Sequence, residues 1–251
     1  MINWLNKFFR LFLLVIVSQS AHAQNISWHL SNKEEIKKQF EITRQWYQTN
    51  PCFSVDIAHL SFEDYKILIP SEEVHGFFHK CGKNYQSKIL GIQTIQNEKF
   101  RFFIDTSQNV ILIGNPTNEN KYPTELYTEN LLNDCKTVQF NEDKLGKKFR
   151  LEFSENAYIN FCEIGINKDG SYNEIILYFG NIVDKSNPKS QEQQKRPRIK
   201  IQFSNYNKNP VFDYNAEFSE ANYFVFGSEN KLFPTEKYKY FKINDQRINK
   251  N

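Results

Sequence analysis

From Pro51 onward, hydrophobic residues recur at every second position, and this alternation sets the class of fold. Phe53, Val55 and Ile57 point one way while Ser54, Asp56 and Ala58 point the other. That is the pattern of strands with one buried face. Short strands parted by turn residues follow. Residues 74–80 and 84–90 flank Cys81-Gly82-Lys83, and residues 100–106 and 110–115 flank Ser107-Gln108-Asn109. Phe149, Leu151 and Phe153 then alternate with Lys148, Arg150 and Glu152. Lys168-Asp169-Gly170 reads as a hairpin turn leading into Ile175, Leu177 and Phe179. Ile199, Ile201 and Phe203 repeat the alternation, and residues 238–243 form a last candidate strand.

One convincing helix precedes the strands. Ser31 followed by Glu34 fits a capping box, and Glu34 and Glu35 suit the positive end of a helix. Ile36, Phe40, Trp46 and Tyr47 form a broad apolar stripe, and Asn50-Pro51 ends it. A second helical stretch is predicted over 123–135, carrying Leu126, Leu131 and Leu132. Residues 184–196 are polar and read as a long hairpin loop. The expected architecture is α+β: a curved antiparallel sheet or half-open β-barrel of about ten strands, with an N-terminal helix and a mid-chain helical insertion as lid.

The 251 residues, 39% of them hydrophobic, are enough for one large core and too apolar for a disordered chain. A net charge of +3 gives no strong footprint for nucleic acid. The basic and aromatic run Lys237-Tyr238-Lys239-Tyr240 is equally well explained by strand alternation.

The first 23 residues read as an export signal: Lys7 and Arg10, an apolar stretch over 11–17, and the small-x-small site Ala21-His22-Ala23. Cleavage is predicted after Ala23, leaving residues 24–251 as a single domain. The apolar stretch is far short of the roughly 20 residues of a spanning helix. Loss of Lys7 and Arg10 lowers the charge from +3 to +1. No Cys follows the signal directly, so a lipid-modified cysteine is not expected, and the mature chain is expected to be soluble. Loops rich in Asn and Lys have a bacterial character, which places the mature chain in the periplasm. Cys52, Cys81, Cys135 and Cys162 permit three disulfide connectivities, with paired and free thiols both open.

No reaction can be read from the residues. There is no G-x-S-x-G elbow, no phosphate-binding glycine loop and no zincin motif. His75 and His79 have H-x-x-x-H spacing, but on a strand they stand about 13 Å apart, too far for one metal. No metal, cofactor or enzymatic activity is therefore expected.

The aromatic content, with 23 Phe, 13 Tyr and 3 Trp, is the compositional oddity. Phe and Tyr suit strands, and a large β domain uses many. They also suit a hydrophobic cavity, for which Phe77, Phe102, Ile104, Phe149, Leu151 and Phe153 are the candidate lining. Each CH₂ of an acyl chain buried there contributes about 0.8 kcal/mol. Apolar neighbours such as Phe102 with Phe103 and Ile111 with Leu112 suit a sheet covered on both sides.

The order of elements, with residues 74–115 as its most similar stretch, resembles the LolA-like family of periplasmic lipoprotein carriers. The resemblance is one of layout over roughly residues 34–203. It implies a half-open antiparallel barrel whose helices lid a hydrophobic cavity. It also implies a buried arginine concerned with lid closure, for which Arg101 and Arg150 are the candidates. The segment from Asn205 on exceeds a simple carrier. The functional expectation is a periplasmic carrier or sensor that binds lipid or lipoprotein acyl chains, without spanning the membrane and without nucleic acid. The alternative is an envelope protein–protein interaction module of a secretion or assembly system, with a filled core.

Overall fold

The computed structural model describes residues 27–117, 129–154, 157–180, 196–228 and 231–247. The export signal, the start of the predicted 123–135 helix and nearly all of the 184–196 loop lie outside these residues.

The chain opens with a short strand, β1 (His29–Ser31), and a helix, α1 (Lys33–Thr49). Eleven strands follow: β2 (Cys52–Phe62), β3 (Glu72–Cys81), β4 (Asn84–Ile89), β5 (Ile92–Gln96), β6 (Arg101–Asp105), β7 (Val110–Gly114), β8 (Thr137–Glu142), β9 (Gly146–Glu152), β10 (Ile159–Asn167), β11 (Tyr172–Phe179) and β12 (Arg198–Asn207). A short helix α2 (Glu129–Asp134) precedes β8. The C-terminal segment carries α3 (Tyr214–Glu217), the hairpin β13 (Phe224–Phe226) and β14 (Leu232–Pro234), and β15 (Lys242–Asp245).

Thirteen of the strands form one curved, unclosed sheet in the order β1-β8-β9-β10-β11-β12-β2-β3-β4-β5-β6-β7-β15. Neighbours run antiparallel except at the β7 edge, where β15 pairs in parallel. The last strand is thus Lys242–Asp245; Tyr238, expected as the start of a strand over 238–243, ends a turn of 3₁₀ helix (Glu236–Tyr238) instead.

Helix α1 starts one residue later than the expected box. Asn32 is the cap, and its side-chain oxygen accepts the Glu35 N–H at 2.9 Å. Ser31 Oγ donates to the Glu35 carboxylate at 2.8 Å. Asn50 closes the other end, with its backbone N–H and its side-chain amide both bonded to the Trp46 carbonyl.

The sheet buries opposite faces in its two halves. On the face beneath α1, here the inner face, Ile36, Trp46 and Tyr47 pack with Val55, Ile57, Phe78, Val138, Phe149, Leu151, Ile164, Ile175 and Phe203. The outer face of that half mixes charged pairs with apolar and aromatic side chains such as Ile176, Phe62 and Phe161. Glu163 there takes the guanidinium of Arg150 through Nε at 3.1 Å, and Glu174 is held by Lys148 and Lys200. In the other half the outer face is the apolar one. Ile95, Phe102, Ile104, Ile111 and Ile113 form a second core with Tyr223, Phe224 and Tyr238 of the C-terminal segment.

Two glycines allow close approaches. A Cβ at Gly76 would meet the Lys88 carbonyl oxygen of the neighbouring strand at 1.9 Å. Gly170 turns the β10–β11 hairpin at φ +94°, against Ile42 of α1.

Of the four cysteines, Cys52 and Cys81 form a disulfide across β2 and β3, while Cys135 and Cys162 are buried free thiols.

Candidate functional site

Strand register decides which side chains share a face, and it divides the expected cavity residues. Phe149 and Leu151 lie on the inner face, fully buried beneath α1, and Phe153 packs half-buried against the same cluster. Phe77, Phe102 and Ile104 lie on the outer face. Phe78 belongs to the inner core, so its neighbour Phe77 points away. Phe77 pairs with Lys88, Lys88 with Gln93, and Gln93 with Ile104, which keeps that row on the outer face. Phe77 stands half-buried beside His79, at 4.5 Å between ring centroids. Phe102 and Ile104 are fully buried, but under the C-terminal segment. The six residues therefore do not line one hollow. A one-residue difference in register sends a whole strand's set to the other face, and this is what separates the two groups.

The inner-face residues of that half are their immediate neighbours. One row runs Val55, Phe78, Ser87, Thr94, Phe103 and Leu112 across β2 to β7. Ile89 and Ile92 pair in the next row toward the β4–β5 turn. Phe103, Leu112 and Ile89 are half-buried, and Ile92 is 45% exposed. Ile89 also packs against the core beneath α1. The apolar inner face thus continues past the helix into a half-open apron.

A polar row borders the apron on its other side. It runs Phe53, Lys80, Tyr85, Gln96 and Arg101. Lys80, Tyr85 and Gln96 are buried. Gln96 is fixed by donating to the Lys83 and Thr117 carbonyls and by accepting the Thr117 N–H at 3.1 Å. The Arg101 guanidinium lies 4.8 Å over the Phe103 ring. Among the described residues its buried Nε has no hydrogen-bond partner. Of the two arginines singled out from sequence, Arg101 faces the apron, whereas Arg150 is on the outer face, paired with Glu163 and lying over Trp28 and Phe161.

The arrangement sets an apolar surface beside cationic groups along one border. Phe103, Leu112, Ile89, Ile92 and, Arg101 apart, the polar row were not picked out from sequence as site residues. The paired apolar neighbours Phe102–Phe103 and Ile111–Leu112 were the one signal for them, since both faces there carry apolar residues.

His75 and His79 each meet a carboxylate, Glu73 at 3.0 Å and Glu217 at 3.1 Å. Among the described residues no group of three or more His, Cys, Asp and Glu is placed to hold a metal. No helix among them is long and apolar enough to cross a membrane.

No protein-family model and no curated protein matches the chain. Among solved structures, it is similar to a LolA superfamily protein from Nitrosomonas europaea, at 9% identity and a TM-score of 0.30, over 74% of this chain and 97% of the other. It is also similar to a DUF1329 family protein from Desulfovibrio piger, at 6% identity and a TM-score of 0.29, over 74% and 98%. A third structure, a domain assigned to outer membrane lipoprotein sorting in Vibrio parahaemolyticus, matches at 7% identity and a TM-score of 0.21, over 71% and 96%. Similarity at this level is one of layout and carries no ligand from those proteins to this one.

Proposed function

We propose that the chain is an exported, non-enzymatic binding protein, a carrier or sensor that holds a lipid acyl chain on the inner face of its sheet. One observation carries the reading: the apolar face beneath α1 runs on into a half-open apron of Ile89, Ile92, Phe103 and Leu112, with Arg101 at its border. An alkyl chain laid there removes its own methylene surface and that of the apron from water, at about 0.8 kcal/mol per CH₂ buried. An arginine at the border gives an anionic head a charge-assisted hydrogen bond. The residues first picked for the lining are replaced in this role by their neighbours, Phe103 for Phe102 above all.

The test is saturable uptake of a fluorescent fatty acid by delipidated protein. Phe103→Asp should abolish uptake and leave the protein folded. A folded wild type without saturable uptake would favour the interaction-module reading, which the complete burial of Phe149 and Leu151 under α1 supports.

A further inference from the structure

The loop between β2 and β3 holds three consecutive aliphatic residues in water. Leu68 is 85% and Ile69 79% exposed, with Ile67 beside them at 40%. Exposed apolar residues occurring singly are ordinary, but a contiguous group marks an interaction site.

The loop is braced from several directions. Tyr65 sets its ring edge-on against Phe161 and Tyr178 and donates its hydroxyl to the Phe179 carbonyl. Asp64 accepts the backbone N–H groups of Lys66 at 3.0 Å and Arg196 at 3.2 Å. Arg198 donates to the Ile67 carbonyl at 3.0 Å while its guanidinium covers Phe62. Ser71 N–H closes the base on the Ser61 carbonyl at 2.8 Å. These braces hold both ends of the loop and the Ile67 carbonyl, and the Leu68 and Ile69 side chains stand in water between them.

We infer that this tip seats the protein on an anionic lipid bilayer. The tip protrudes, so its receiver need not offer a complementary groove, and the headgroup region of a bilayer is such a receiver. Lys66 and Arg196 are exposed at the tip's flank and suit phosphate headgroups. Tyr158 is 75% exposed at the same end of the sheet, its ring 5.2 Å from Phe179. An amphipathic aromatic of that kind belongs at a membrane interface. Four acidic residues lie nearby: Glu63 and Asp64 at the β2 end of the loop, with Asp64 already engaged by the Lys66 and Arg196 backbone N–H groups, and Glu72 and Glu73 at its root, on the first two residues of β3; none of them is in the aliphatic tip itself. This inference is independent of acyl-chain binding, because the tip is the β2–β3 loop and the apron lies on β4 to β7.

The test is co-sedimentation of the mature chain with vesicles of three parts phosphatidylethanolamine to one part phosphatidylglycerol. Wild type should sediment with the vesicles. Leu68→Asp combined with Ile69→Asp should lower the partition coefficient about tenfold or more, since two aliphatic side chains lose their transfer into the interface. Fatty-acid uptake in vesicle-free solution should not change. Lys66→Glu should weaken binding to these vesicles and leave any binding to pure phosphatidylcholine vesicles unaltered. Wild type remaining in the supernatant overturns the inference and leaves a protein groove as the receiver. A double variant that sediments like wild type overturns it as well.

Discussion

Phe102 and Phe103 are consecutive in β6 and end on opposite faces of the sheet, in environments of opposite kind. Phe102 is fully enclosed, its ring 5.1 Å from Tyr223 and 5.3 Å from Phe224. Phe103 is half-open under the Arg101 guanidinium. Their substitutions should therefore separate stability from binding. Phe102→Ala should cost about 3–5 kcal/mol, the range for an aromatic removed from a closed core. Phe103→Ala should cost about 1 kcal/mol, near the centre of ordinary point substitutions, yet weaken fatty-acid uptake. Urea unfolding alongside an uptake assay checks both. Equal destabilisation by the two changes would remove the distinction between core and apron.

How much of this was legible in the sequence follows from the same pair. Alternation located most strands, because one-sided burial writes itself into a period of two. In β6 and β7 both faces are apolar, so the period gives no direction, and nothing short of strand pairing assigns Phe102 outward and Phe103 inward. The C-terminal segment that covers Phe102 comes from more than a hundred residues later, beyond the reach of any local pattern. Strands such as β5 (Ile92–Gln96) and β8 (Thr137–Glu142) carry mixed side chains and short runs, and were missed. The disulfide was likewise a matter of tertiary register: Cys52 and Cys81 sit opposite each other in the β2–β3 ladder, a relation that spacing does not disclose.

The thiols should fall into two chemical classes. Cys135 and Cys162 are buried, and burial raises both above the ordinary thiol range, with Cys135 further disfavouring the ionisation of Cys162. The thiolate is the reactive form. A colorimetric thiol reagent should therefore label neither in the native protein and both after unfolding without reductant. Replacing Cys52 and Cys81 by Ser should cost about 3.6 kcal/mol, the loop-closure contribution expected for a 29-residue separation. Prompt labelling of the native protein would place at least one of the two thiols at the surface.

Arg101 should matter for the head of the ligand and not for its tail. It overlies Phe103, and its Nε lacks a hydrogen-bond partner among the described residues. Arg101→Gln should weaken uptake of a fatty acid about tenfold, the scale of one charge-assisted hydrogen bond. Uptake of the corresponding methyl ester should change little, because the ester carries no charge for the guanidinium to meet. Competition titrations with the two probes measure the difference. Equal weakening for acid and ester would make Arg101 a packing residue.

Acid should loosen α1 through Asp169. This carboxylate sits in the β10–β11 turn and accepts from Trp46 Nε1 of the helix at 3.1 Å, from Lys208 Nζ at 3.0 Å, and from Ser171 Oγ at 2.7 Å. Burial disfavours its ionised form, but the hydrogen bonds from Ser171 and the Lys208 ammonium outweigh that and hold its pKa at about 2, below the ordinary 3.8. A group depressed in the folded state stabilises it above the unfolded pKa, and that contribution is lost as pH falls through the folded value. Asp169→Asn should therefore be less stable than wild type at pH 7, by up to about 1 kcal/mol given the side chain's exposure to solvent. The gap should hold down to pH 4, narrow below it, and be mostly gone near pH 2. Paired thermal melts across that range, followed by Trp fluorescence as a report on Trp46, give the curve. A gap that stayed constant down to pH 2 would show that the Asp169 charge has no part in holding the helix to the sheet.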